Sequence, residues 1–428
     1  MRVLVLDLTH GGDVLALAYS RRGDEVTAID VYRTTSPAFR TDLRSKGVQV
    51  LEASPHENYD LGVAPIHCPD RLFGPAQCAR RITHHQAAGE LALFRHPVVE
   101  VTGARGKTTT CHMLARILAD QGRKVLLLTS GGLSIVEAER TTVLKEKVSI
   151  APPTLVTLAE EGHDADIGVF EVSLGGTGTA AVSVVTTIGD DYAIAGNTRR
   201  AFDGKVQMVR SARGMVVFPE EERALWAPYV DPAATALTFG AGGDVEASLS
   251  DIELGASARL TVAAGREASM ASLQPNYLAP SYLTAFGAAA AAALALGVTA
   301  EEIATSFGRF QGATGRVEVT VENGRAMVRE HNPGVSAASI DWNLGSIDAY
   351  GCRDIGVVVD PVNAKVCEKL DLAAVREAAE GHPAVTGLYL LAPKGWSGPH
   401  DGFEMISSIE DVGRSHAVTM WCTKEGYL

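Results

Sequence analysis

The chain has 428 residues, of which 46% are hydrophobic and 21% charged, with a formal net charge of −13 and a mean hydropathy of +0.08. That length exceeds one ordinary core and indicates a globular protein of two to four domains. The acidic balance argues against general affinity for nucleic acid or anionic membranes. The longest apolar run, Phe286 to Leu296, is mostly alanine and too short to span a bilayer.

Met1 leads straight into an apolar strand without a basic leader pattern, so a cytoplasmic protein is expected. The six cysteines (Cys68, Cys78, Cys111, Cys352, Cys367 and Cys422) form no C-x-x-C pair and no zinc-finger spacing, which favours reduced thiols.

The elements expected in chain order form α/β units. Arg2–Leu6 reads as a strand buried on both faces; a Gly11-Gly12 turn, an amphipathic stretch from Val14 to Arg21 and a strand ending at Asp30 complete a βαβ unit. Val48–Leu51 reads as a third strand. The G-x-G-x-x-G fingerprint is missing, so Asp30 gains no support as a ribose ligand. From His96 onward, a strand (Val98–Val101), a glycine turn and a helix (Thr108–Gln121) are followed by strands at Lys124–Leu128, Ile167–Val172 and Val182–Thr187. An alanine-rich helix over Tyr282–Leu296 has the composition for close packing on a sheet, and Thr299 with Glu302 makes a capping box. Beyond Gly315, a hairpin turns at Asn323-Gly324, and strands at Ile355–Val359 and Leu388–Leu391 flank a helix at Leu372–Ala379. The expected domains are 1–95, Rossmann-like; 96–314, central; and 315–428, a smaller α/β domain. No repeat or low-complexity linker interrupts them.

Chemistry concentrates in Gly103-Ala104-Arg105-Gly106-Lys107-Thr108-Thr109, set between a strand and a helix. Glycines let successive backbone N–H groups curl toward phosphate oxygens, and the helix start adds its positive dipole end. Lys107 suits the β- and γ-phosphates and the Thr108 hydroxyl suits Mg²⁺. The common P-loop would require glycine at Val101; this loop is the shorter G-x-x-G-K-T. The bland alternative is a strand-to-helix turn with an incidental lysine. Glu171, closing a buried strand, is placed to hold Mg²⁺ unless it is merely a solvated strand end. His10 reads either as a contact for a substrate carboxylate or as a partner of its own loop. Arg80, Arg81, His84 and His85 form either a basic edge or a solvated helix face.

The short loop, with Phe170-Glu171-Val172-Ser173 and His331-Asn332-Pro333, resembles the Mur ligase family over most of the chain. The resemblance implies a three-domain, ATP-dependent ligase that activates a carboxylate as an acyl phosphate. It implies nucleotide contacts from Gly103 to Thr109 and from Arg316, His331 and Asn332, with Mg²⁺ on Thr108, Glu171 and Asp191. Lys205 matches a lysine that is carbamylated in several members, or is a surface lysine. Arg316 belongs to a G-R-x-E element at the entry to the third domain, where a guanidinium suits phosphate oxygens.

Three departures stand out. Tyr192 occupies the usual histidine position, Val328 the usual aspartate, and Ser281–Thr284 the usual adenine-side asparagine stretch.

Leu6–Gly12, Asp30-Val31-Tyr32 and Thr423–Tyr427 resemble a branch acting on a nickel tetrapyrrole. The resemblance implies that nickel enters only as part of the substrate, which His10, Gly11 and Gly12 would meet. Amide-forming ligases, P-loop phosphotransferases and nucleotide-gated binding proteins are the competing readings. The first requires an amino acid for ADP release, the second leaves phosphate on a stable hydroxyl, and the third makes no ligated product.

Overall fold

Five short runs rich in valine and leucine make the first sheet of the computed structural model: β1 (Arg2–Leu6), β2 (Glu25–Ile29), β3 (Val48–Leu51), β4 (Asn58–Ala64) and β5 (Gln77–Thr83). They are parallel, in the order β3-β2-β1-β4-β5. Leu4, Leu6 and Ile29 pack on one face and Val3, Val5 and Val26 on the other, as expected for strands covered on both sides. Helices α1 (Asp13–Arg21), α2 (Pro37–Ser45) and α3 (His84–Leu91) accompany the sheet. Ser36 caps α2 by accepting from Phe39 N, and Thr83 with Gln86 forms a capping box on α3. The structure describes residues 1–189, 191–312, 317–332, 335–360, 370–391, 400 and 402–424.

A second sheet follows from β6 (Val98–Thr102), α4 (Lys107–Asp120), β7 (Val125–Thr129), β8 (Gly132–Val136), β9 (Thr141–Glu146), α5 (Pro153–Glu161), β10 (Ile167–Glu171) and β11 (Val182–Val185). The chain continues through a two-stranded ribbon, β12 (Ala193–Ile194) and β13 (Arg199–Arg200), then α6 (Ala201–Ser211), β14 (Met215–Pro219), α7 (Arg223–Trp226) and β15 (Thr235–Phe239). The strands run β15-β14-β11-β6-β10-β7-β8-β9. The chain leaves β6 for β7 on one side and later places β11 on the other, so strand order reverses at β6. Ligands of open α/β sheets bind beyond the strand C-termini at such a point.

Helix α8 (Leu283–Ala295) carries six fully buried alanines, Ala288–Ala293. A Cβ on Gly287 would come within 2.9 Å of the Phe239 ring, which is why small residues line this helix.

Apart from the first two residues of α8, these elements belong to one compact unit, Met1–Glu246 with Ala285–Ile303. A second unit comprises Ala247–Thr284 and Ala304–Leu428. Strand β16 (Val245–Ser250) and helix α9 (Ala300–Gly308) run from the first into the second. The second unit holds the β17 (Arg259–Ala264) and β18 (Glu267–Ser272) hairpin and then β19 (Glu318–Glu322), β20 (Arg325–Asn332), α10 (Ala337–Asp348), β21 (Ile355–Asp360), α11 (Leu372–Glu380), β22 (Val385–Leu391), β23 (Glu404–Ile406), α12 (Ile409–Gly413) and β24 (Val418–Lys424). Its main sheet has the order β19-β20-β24-β21-β22-β23. Asn323 and Gly324 both take positive φ, 53° and 75°, in the tight turn joining β19 to β20. Val328 is fully buried there among Ile340, Val357 and Met420. No described helix is long and apolar enough to cross a membrane.

Candidate active site

The Gly103–Thr109 loop emerges from the C-terminal end of β6 and runs into α4, at the point of strand-order reversal. Gly103 has φ +145°, and a Cβ there would stand 2.0 Å from Thr186 Oγ1; only glycine fits. Gly106 takes φ +79° as the N-cap residue of α4. The turn is clamped by Ala104 N donating to Thr187 O at 2.8 Å and by the Thr186 hydroxyl donating to Arg105 O. Lys107 Nζ folds back on Gly103 O at 3.2 Å.

Thr108, in the first turn of α4, donates through Oγ1 to Glu171 Oε2 at 2.8 Å. Glu171 closes β10, is only 3% exposed, and also accepts from Ser130 N at 3.1 Å. It is therefore no solvated strand end. The Ser130 hydroxyl stands 3.4 Å from Thr108 Oγ1, so the donors converging here are hard oxygens, the set that Mg²⁺ prefers.

Lys205 lies in α6 at 3% exposure, so the surface-lysine reading fails. Its Nζ donates to Ala201 O at 3.3 Å, and burial lowers its pKa, with the charge of Lys107 acting in the same direction. Asp191 has its two oxygens engaged nearby, one by the Arg200 guanidinium and the other by Phe202 N at 2.8 Å. Burial alone would raise its pKa, but Arg200 and Phe202 N outweigh that and hold it below the usual range. The structure thus joins Thr108 to Glu171 and turns Asp191 toward Arg200.

Two carboxylates escaped the sequence reading. Glu222 takes hydrogen bonds from Thr187 Oγ1, Ile188 N and Trp226 Nε1, each at 2.7 Å, and so braces the strand end that clamps the loop. Glu100, buried within β6, holds Thr177 through its N and Oγ1 at 2.6 and 2.5 Å, and burial raises its pKa. Neither sits in a recognisable motif; their partners are distant in sequence.

The first sheet contributes a loop at the C-terminal end of β1. Asp7 is fully buried, with φ 69°; its Oδ1 accepts from Thr9 N at 2.9 Å and His10 N at 3.2 Å. Its Oδ2 receives His10 Nδ1 at 2.6 Å and has His67 Nε2 at 3.4 Å. Burial would raise the Asp7 pKa, but the two imidazoles hold it below the ordinary range. His10 is thus a partner of its own loop through Nδ1 while its ring stays half exposed. A Cβ on Gly11 would lie 2.8 Å from Pro153 Cβ, and one on Gly12 would lie 2.3 Å from Asp7 O, so both glycines serve close packing inside the protein.

His84 and His85 are neither a basic edge nor a solvated face. They are 1% and 2% exposed, and their Nε2 atoms bond to Leu6 O at 3.1 Å and Ser173 O at 2.8 Å. Asp30 is spent on its own loop through Thr34 N, Thr35 N and the Thr35 hydroxyl.

Residues 101–201 match the Mur ligase middle domain. The chain is 34% identical over 373 residues to the coenzyme F(430) synthetase of Methanosarcina acetivorans, covering 80% of this chain and 79% of that protein. The chain belongs to the Mur ligase family. It is accordingly an ATP-dependent ligase. This Mur ligase is also 28% identical over 222 residues, about half of each chain, to the coenzyme F(430) synthetase of Methanocaldococcus jannaschii. Its fold matches a UDP-N-acetylmuramoylalanyl-D-glutamyl-2,6-diaminopimelate–D-alanyl-D-alanyl ligase from Acinetobacter baumannii, with TM-score 0.57 and 18% identity over 99% of this chain and 90% of that one.

Of the second-unit residues that the family resemblance singles out, Arg316 and the side chain of Asn332 lie outside the described residues. In this Mur ligase His331 sits near the end of β20, edge-on to Trp421 with ring centroids 4.5 Å apart.

Proposed function

We propose that this Mur ligase uses ATP to activate a propionate carboxylate of the nickel tetrapyrrole seco-F(430), and that a carbon of the same molecule then closes the carbocyclic F ring. A carboxylate oxygen takes the γ-phosphoryl group as its bond to ADP breaks. The carbon nucleophile, losing its proton, then forms the C–C bond and expels phosphate. The product is coenzyme F(430), made in the cytoplasm where ATP is supplied. The observation that carries the phosphoryl-transfer half is the Thr108–Glu171 hydrogen bond at the mouth of the glycine loop. The specific substrate rests on the named relatives and on the resemblance of the first-domain loop.

The roles follow from charge. Amides of Gly103–Lys107 and the start of α4 bind phosphate oxygens, and Lys107 neutralises charge as two anions meet. Thr108 and Glu171 would hold Mg²⁺, which supplies further neutralisation of the phosphates. Asp191 is a candidate second ligand if Arg200 releases it. Lys205, buried and drawn toward its neutral amine, is suited to carbamylation. Arg316, His331 and Asn332 would reach the nucleotide from the third domain. His10, half exposed, would meet the substrate while Gly11 and Gly12 set its loop by close packing, and nickel would arrive on the substrate's own nitrogens.

Incubation with ATP, Mg²⁺ and seco-F(430) should give ADP, phosphate and a tetrapyrrole lighter by one water, read by mass and absorbance. Unchanged tetrapyrrole from protein that binds ATP would remove this assignment. ADP release that requires an added amino acid would favour amide formation instead.

A further inference from the structure

The sequence offers no recognisable metal motif in the first domain, yet the fold gathers three ligating groups there. Asp7 Oδ2, a nitrogen of His10 and a nitrogen of His67 lie within 4.8 Å of one another. Asp7 is 0% exposed, and its ion partners among the described residues are histidines, never lysine or arginine. A buried carboxylate needs compensating positive charge. His84, also close, is spent on Leu6 O.

We propose that Asp7, His10 and His67 bind one divalent ion of borderline softness, of the Zn²⁺ or Co²⁺ class, apart from the magnesium centre at Thr108 and Glu171. A four-coordinate ion with bonds of about 2.0–2.1 Å sets its donors about 3.3 Å apart. The separations of 2.6 Å and 3.4 Å from Asp7 Oδ2 bracket that edge. Nε2 of His67 is buried and makes no good hydrogen bond, so an atom able to ligate is aimed into the cluster. A carboxylate with two imidazoles suits such an ion better than Mg²⁺, which prefers oxygen alone.

The site is built rather than incidental. Asp7 Oδ1 is fixed by two backbone amides, which leaves Oδ2 to face the imidazoles. The backbone on both sides of His67 is held by Arg199, whose guanidinium donates to Ile66 O at 3.1 Å and to Cys68 O at 3.4 Å. Arg199 also pairs with Asp70 at 2.6 Å. A Cβ on Gly204 would touch Ile66 at 3.7 Å, so the residue before His67 packs on the helix that carries Lys205. Three protein ligands with a half-exposed His10 leave a fourth position for water or an anionic oxygen.

The full-length protein, stripped with a chelator and kept in excess Mg²⁺, should bind one equivalent of Co²⁺ with ligand-field bands of low coordination number, and Zn²⁺ should displace it. His10→Gln and His67→Gln should each weaken binding more than about 100-fold, beyond the 10–100-fold that loss of an outer partner costs. Melting of the metal-free variants reports whether they fold. In wild-type protein, Zn²⁺ should protect His10 and His67 from carbethoxylation mapped by mass spectrometry, a readout independent of any variant. No Co²⁺ uptake by wild type, equal affinity in folded variants, or no protection of the two rings would overturn the site.

Discussion

Lys107, Thr108 and Glu171 carry separable duties in the proposed mechanism. There the Lys107 ammonium group answers charge on the transferring phosphoryl, so Lys107→Ala should lower kcat at least about 100-fold in an ADP-release assay, the scale of one lost transition-state donor. Glu171→Gln keeps the shape of the side chain but removes its charge. Activity should then fall, and the Mg²⁺ concentration giving half-maximal rate should rise, in the same assay over a magnesium series; an unchanged magnesium dependence would remove Glu171 from the metal site. The loop was legible because its signal is local: glycine, lysine and threonine stand side by side in the sequence. His67 was not, because nothing near it marks it as the partner of His10. Only the parallel pairing of β1 with β4 carries their following loops to the same place.

At the scale of elements, close approaches fix where each helix stands. A Cβ on Gly204 of α6 would fall 1.8 Å from Leu174 O, and one on Gly175 would fall 2.4 Å from Gly204 O. Gly204→Ala should therefore destabilise the fold by about 1–3 kcal/mol, measured by denaturant unfolding, with activity reduced because Lys205 shifts with its helix. Helix α3 has a different dependence. Burial lowers the pKa of His84 to about 3 and that of His85 to about 4, against 6.5 when unfolded. The unfolded chain thus binds more protons between those limits, so stability should fall as pH drops below about 6.5 and continue falling toward pH 4. Denaturant unfolding across that range should show the slope, and His85→Gln should flatten it.

In sequence, adjacent polar residues carry no face information, so His84 and His85 suit a basic edge or a solvated helix face equally; their burial comes from α3 packing against α1 and α5. Strands of near-continuous valine and leucine were readable from sequence alone. The hairpin arm β8–β9 was not, since Val143 and Leu144 are exposed and break the expected alternation.

For the whole molecule, the order of strands accounts for where the candidate site lies. Open α/β sheets bind ligands beyond the strand ends where the order reverses, and the glycine loop, Glu171 and the clamp from Thr186 and Glu222 all stand at that end of the sheet, at the reversal at β6. The family resemblance supplied the three-domain plan from sequence. Departures such as Val328 become intelligible only once that residue is seen to fill the core of the second unit.

The central claim is that the Gly103–Thr109 turn grips the triphosphate of a nucleotide. A crystal structure with a nonhydrolysable ATP analogue and Mg²⁺ tests it most directly. The expected result is phosphate oxygens on the loop amides and Lys107, with the metal between Thr108 and Glu171; an analogue bound elsewhere, with that turn left empty, would contradict the account.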